Sequence, residues 1–119
     1  MRVMIIGASN DRHKFGNKAV RAYLRQSESV LPVNPHESEI EGVRAFHHVR
    51  DVPGPIDRAL FYVPSHVGLE IIDELAQRGD VGEVWLNPGA ESDELVEKAR
   101  SLGFDPIMAC AIIDIGERP

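Results

Sequence analysis

Cysteine occurs once in this chain of 119 residues, at Cys110, so no disulfide can form within it. Chains of this length bury enough apolar surface to fold without disulfides or metals, and a single thiol suits a reducing compartment. No apolar run is long enough to span a bilayer. The amino-terminal residues enter a strand-like segment, Val3 to Ile6, without a signal-peptide pattern. These features predict a soluble cytoplasmic protein with no membrane partner. Basic residues are also in deficit, 13 Lys and Arg against 19 Asp and Glu, for a net charge of −6. Broad nucleic-acid binding needs a basic face and is not expected, although backbone amides and local cations leave a phosphate ligand open. No Gly-x-Ser-x-Gly elbow and no Walker loop is present. Five histidines are scattered, and the adjacent pair His47-His48 would point to opposite faces of an extended segment. No Cys/His spacing matches a zinc site, so neither a metal centre nor a catalytic residue is assigned. Internal repeats, low-complexity stretches and linkers are absent, and residues 1–119 read as one domain.

What is present is an alternation of strand-like and helix-like segments. Val3 to Ile6 is apolar throughout, as in strands buried on both faces. After a polar loop, Ala19, Val20, Tyr23 and Leu24 recur at helical spacing and predict a helix from about Asn17 to Gln26. Val30 to Val33 reads as a second strand, and Val43 to Phe46 as a minor extended piece. Arg58 to Val63 is a further strand, ended by Pro64. Ser65 then reads as the N-cap of a helix that runs to Arg78 and closes at Gly79. Glu83 to Leu86 and Phe104 to Met108 read as the remaining strands, with a helix capped by Ser92 between them. The tail from Ile112 has no clear pattern. The expected fold is α/β, a single doubly wound, mostly parallel, five-stranded Rossmann-like sheet of order 3-2-1-4-5. Ligands in such sheets bind beyond the carboxyl ends of the strands.

That rule directs attention to four loops. The first runs from Gly7 through Ala8, Ser9, Asn10 and Arg12 to Lys14, Phe15 and Gly16. Small residues let backbone approach a ligand, the next helix offers free N–H groups, and Arg12, His13 and Lys14 supply cations. The combination suits a pyrophosphate, and a merely polar connector is the alternative. The dinucleotide fingerprint is not met, because Ser9 replaces its second glycine and Asn34 stands where a ribose-binding carboxylate belongs. Pro35 and Pro64 end strands and could also wall an adenine or a pantetheine arm. Glu91 sits near a helix start. Cys110 reads either as a small buried hydrophobe or as a thiol facing a ligand thiol, able to form a mixed disulfide if its pKa is lowered.

In these residues the chain resembles the small bacterial and archaeal CoA-binding proteins, whose domain is similar to the N-terminal domain of the succinyl-CoA synthetase alpha subunit. The matching pieces are Ile6-Gly7-Ala8-Ser9, Lys14 to Ala19, Val33-Asn34-Pro35, Val63-Pro64, Asn87 to Glu91, and Cys110, in that order. The resemblance implies that Gly7, Ala8 and Ser9 hold CoA phosphates through backbone amides, with Lys14 neutralising them and Phe15 beside it. Val33, Asn34 and Pro35 would flank the adenosine end, Val63 and Pro64 the middle, and Glu91 and Cys110 the pantetheine end. Family members often carry a helix before the first strand, which this chain lacks. The synthetase subunit also has a second domain bearing a phosphorylated histidine and a partner subunit that binds nucleoside triphosphate. Without these, ligase chemistry is not expected of this chain alone.

The expectation is therefore a module that binds coenzyme A or an acyl-CoA without catalysing a reaction by itself, with a homodimer or a separate enzyme as partner. An NAD(P)-binding redox enzyme or sensor is the alternative, and an interaction module with an empty ancestral site is a third.

Overall fold

The computed structural model describes all residues from Met1 to Pro119. Its centre is a parallel sheet of β1 (Arg2–Ile6), β2 (Ser29–Val33), β5 (Ile56–Phe61) and β6 (Val81–Leu86), in the order β2-β1-β5-β6. The small strands β3 (Glu39–Ile40) and β4 (Val43–Arg44) form an antiparallel hairpin outside it. Side chains alternate across β1. Val3 and Ile5 enter one core, together with Ala19, Val20 and Tyr23 of α1 (Phe15–Arg25) and with Ala111 and Ile112 of α4 (Ala111–Asp114). Met4 and Ile6 enter the other, against Ile72 and Leu75 of α2 (Ser65–Arg78) and Leu95 and Ala99 of α3 (Asp93–Ser101). Val3, Met4, Ile5 and Ile6 are all buried, which is why the sequence of β1 shows no polar alternation. No helix is long and apolar enough to cross a membrane.

The α/β, parallel, doubly wound reading holds, but the sheet has four strands and not five. Phe104 to Met108 forms no strand. Only Ile107 joins the sheet, by one parallel bridge to Trp85 in which Leu86 N–H donates to its carbonyl and its own N–H donates to Val84. The opposite edge ends in the same way, with Phe46 bridged to Val33. The strand order also differs from 3-2-1-4-5: the third predicted strand, realised as β5, pairs with β1 and carries β6 on its far side, so the four strands run 2-1-3-4 in chain numbering, with single bridges from Phe46 and Ile107 at the two edges. α1 begins at Phe15, two residues before the predicted start. Ser65 is the first residue of α2 rather than its cap; Pro64 holds the cap position, and the Ser65 hydroxyl pairs with that of Ser92. Ser92 does cap α3, accepting from the Leu95 N–H at 3.1 Å. The tail that lacked a pattern forms α4, fastened when the Tyr23 hydroxyl donates to the Ala111 carbonyl at 2.8 Å.

The chain leaves β1 toward β2 through α1 on one face, and returns to the other side of β1 as β5, followed by α2 on the opposite face. The carboxyl ends of β1 and β5 therefore lie where the winding reverses, and a crevice opens there in sheets of this kind.

Candidate functional site

At that reversal lies a cavity of about 580 Å³. Gly7, Ala8 and Ser9 form one wall, Lys14, Phe15 and Gly16 the start of α1, and Tyr62, Val63 and Pro64 the end of β5, with Asn34 and the turn of Pro88, Gly89 and Ala90 closing it. Two glycines make this wall possible. Gly7 has φ +89°, and a Cβ there would meet the Tyr62 carbonyl oxygen at 2.5 Å. A Cβ on Gly16 would lie 2.1 Å from the Gly7 carbonyl oxygen, so α1 can begin against the end of β1 only with glycine at that position.

The helix start is chemically open. α1 has no side-chain cap and no acid in its first turn, whereas α3 has Ser92 as cap with Asp93 and Glu94 behind it. The N–H groups and positive dipole end of α1 are thus left for a group in the cavity. Lys14 lines the cavity, is exposed and makes no salt bridge.

Three asparagines hold the loops in place. Asn34 donates to the Ala8 carbonyl at 2.8 Å, while its side-chain oxygen accepts from the N–H groups of His36 and Glu37. Buried Asn17 donates to the Ser9 carbonyl at 2.8 Å and accepts from the Arg21 guanidinium. Buried Asn87 donates to the Phe61 carbonyl at 3.1 Å and accepts from Ala111 N–H at 2.9 Å, joining β5, β6 and α4. Each replaces a missing backbone partner with a side-chain amide, which is how loop backbone is satisfied away from water.

Of the residues singled out in the sequence, Gly7, Ala8, Ser9, Lys14, Phe15, Asn34, Val63 and Pro64 line the cavity. Five do not. Arg12 turns to Glu41, with Nε 3.5 Å from its carboxylate. Val33 stays in the sheet opposite Ile6 with its side chain in the core, because strand register assigns it to the buried face. Pro35 is exposed beyond the Asn34 turn. Glu91 is exposed and accepts from Gly89 N–H at 3.0 Å, stabilising the turn rather than the cavity wall. Cys110 precedes α4 and lines a smaller neighbouring compartment.

Tyr62 was not singled out, and in the Asn87 to Glu91 turn only Glu91 was expected in the site, whereas Pro88, Gly89 and Ala90 are the residues that line the cavity. Tyr62 directly precedes Val63-Pro64, and that adjacency is its sequence signal. Its hydroxyl is buried with no hydrogen-bond partner. Burial in apolar surroundings pushes the phenol well above its ordinary pKa, and the Cys110 thiol and Tyr23 act in the same direction, so Tyr62 stays neutral. In the first loop, hydrogen bonding from the His13 backbone N–H is the main influence holding exposed Asp11 below the usual carboxylate range. No cluster of three or more His, Cys, Asp or Glu side chains is arranged to hold a metal ion.

Comparison with known proteins agrees with this architecture. Residues 1–115 match the CoA binding domain family. The alpha subunit of an ADP-forming acetate–CoA ligase II from Pyrococcus furiosus is 34% identical over 112 residues, covering 86% of this chain and 24% of that subunit. A conserved hypothetical protein from the same organism superposes with a TM-score of 0.88 at 33% identity, covering 95% of this chain and 97% of the other. A dinucleotide-forming acetyl-coenzyme A synthetase 1 from Ca. Korarchaeum cryptofilum, in complex with phosphate and ADP, superposes with a TM-score of 0.76 at 29% identity over 88% of this chain and 25% of that one. The chain spans about a quarter or less of the ligases it matches. It belongs to the CoA binding domain family.

Proposed function

We propose that this CoA-binding-domain chain binds coenzyme A or an acyl-CoA, with the diphosphate held where α1 begins and the pantetheine arm directed across the strand ends toward Cys110. The observation that carries this reading is the uncapped, acid-free start of α1. It opens into the cavity beside Gly7 and Gly16, with Lys14 as an unpaired cation. A diphosphate meets there the amide donors and positive field it needs, although the chain as a whole is negative. Val63, Pro64 and Pro88 offer apolar surface along the path of the arm.

The residues lining the cavity include no carboxylate and no histidine, and their titratable side chains are Lys14, assigned here to the diphosphate, and the neutral phenol of Tyr62, so a binding role fits this lining better than catalysis. Ligase chemistry of the kind named for the relatives would come from polypeptide outside residues 1–119, and a separate enzyme subunit is the partner this reading suggests. A dinucleotide such as NAD is disfavoured at the end of β2. The Asn34 amide there is committed to Ala8, His36 and Glu37, and the position offers no carboxylate for a ribose.

Calorimetric titration with CoA, dephospho-CoA and NAD tests the reading. CoA is expected to bind most tightly. Lys14→Ala should weaken CoA binding, most clearly at low ionic strength where screening is least. Tighter binding of NAD than of CoA would overturn it.

A further inference from the structure

The main cavity does not end at Tyr62. A second compartment of about 260 Å³ shares Phe15, Tyr62 and Pro88 with it and is completed by Asn87, Cys110, Ile113 and Pro119. We propose that this compartment is an acyl subsite, which selects CoA thioesters carrying a short, straight, apolar acyl group over CoA itself. The inference rests on the CoA reading of the main cavity and adds the identity of the group borne on the thiol.

Position is the first support. A ligand whose diphosphate lies at Gly7 and whose arm passes Val63 and Pro64 would bring its sulfur to the junction of the two compartments, where Tyr62 and Pro88 are common to both. Anything attached to that sulfur has the second compartment as its continuation. The lining is the second support. Aliphatic, aromatic and proline side chains dominate it, and none of the side chains is charged. Its single amide, Asn87, is committed at both ends to Phe61 and Ala111 and asks nothing of a ligand. Phe15 and Ile113 are the two most exposed large apolar side chains of the fold, at 56% and 60%, and an acyl chain would cover their surface.

Size and polarity then narrow the group. An apolar cavity of ~150 Å³ accommodates benzene, so this one has room for an acyl chain of about four to six carbons. A carboxylate-ended acyl group such as succinyl would bring a charge into a lining with no cation to receive it, which is unfavourable.

Titration of the full chain with CoA, acetyl-CoA, butyryl-CoA, hexanoyl-CoA and succinyl-CoA tests the subsite. Affinity is expected to rise about fourfold for each methylene added beyond acetyl until the compartment is full, with succinyl-CoA on the order of tenfold weaker than butyryl-CoA. Ile113→Asp changes an exposed side chain and should fold normally, as a thermal melt would verify; it is expected to flatten the dependence on chain length. If CoA binds but affinity is level from acetyl to hexanoyl, or succinyl-CoA binds as tightly as butyryl-CoA, the acyl subsite is refuted and the CoA reading stands. If no CoA compound binds, both fall.

Discussion

Gly16 and Tyr62 both line the cavity and are constrained in opposite ways, one by having no room for a side chain and the other by burying a hydroxyl without a partner. Any Cβ at residue 16 collides with the Gly7 carbonyl, and neither backbone can yield without moving the start of α1 or the end of β1. Gly16→Ala is expected to cost roughly 1–3 kcal/mol and to weaken CoA binding beyond that, read by urea denaturation and calorimetry on the same preparation. Tyr62 buries a hydroxyl with no partner. Tyr62→Phe removes that unsatisfied group at nearly constant shape and should stabilise the fold by about 1 kcal/mol, seen as a rise of a few degrees in Tm. At this scale the sequence was only partly legible. The small residues of the first loop were readable because glycine has few other uses at the end of a buried strand. The commitments of Asn17, Asn34 and Asn87 were not, because an amide forms the same hydrogen bonds with any backbone that folding brings near it.

At the scale of elements, periodicity was a good guide wherever one face is buried. α2 ends at Gly79 with φ +72°, as its glycine predicted, and Ser92 caps α3. Periodicity was a poor guide at the sheet edges, where Phe104 to Met108 has strand-like composition but pairs through Ile107 alone. The segment after α4 is tied to α1 by Glu117, whose carboxylate accepts from Gln26 at 2.6 Å and from Arg25 at 2.8 Å. Those bonds, Gln26 first and then Arg25, hold Glu117 below its ordinary value of 4.5. A carboxyl whose pKa is depressed on folding adds stability above its unfolded pKa and loses it as pH falls through the folded value. Wild type should therefore exceed Glu117→Gln in Tm at pH 6, and the gap should narrow from pH 4.5 downward, measured by thermal melts across pH 3 to 6.

For the whole molecule, the proposed function sets a polyanionic ligand against a chain of net charge −6. Net charge describes the averaged surface, whereas the proposed diphosphate would meet the local field of one helix start and Lys14. A ligand that binds the folded chain at a hundred times its dissociation constant stabilises it by about 2.7 kcal/mol. CoA should therefore raise the Tm by several degrees, and NAD at equal concentration should not, in a thermal-shift titration.

By itself, the sequence determined a parallel α/β sheet wound on both faces, the chain order of its loops and a glycine-rich turn after the first strand, since periodic burial and backbone permissiveness are local properties. Tertiary structure alone decided that Val33 and Pro35 stand away from the cavity, that Arg12 is spent on Glu41, and that Tyr62 and Pro88 join two compartments. Such outcomes depend on register and on which distant groups meet, and those are set only when the sheet closes against its helices.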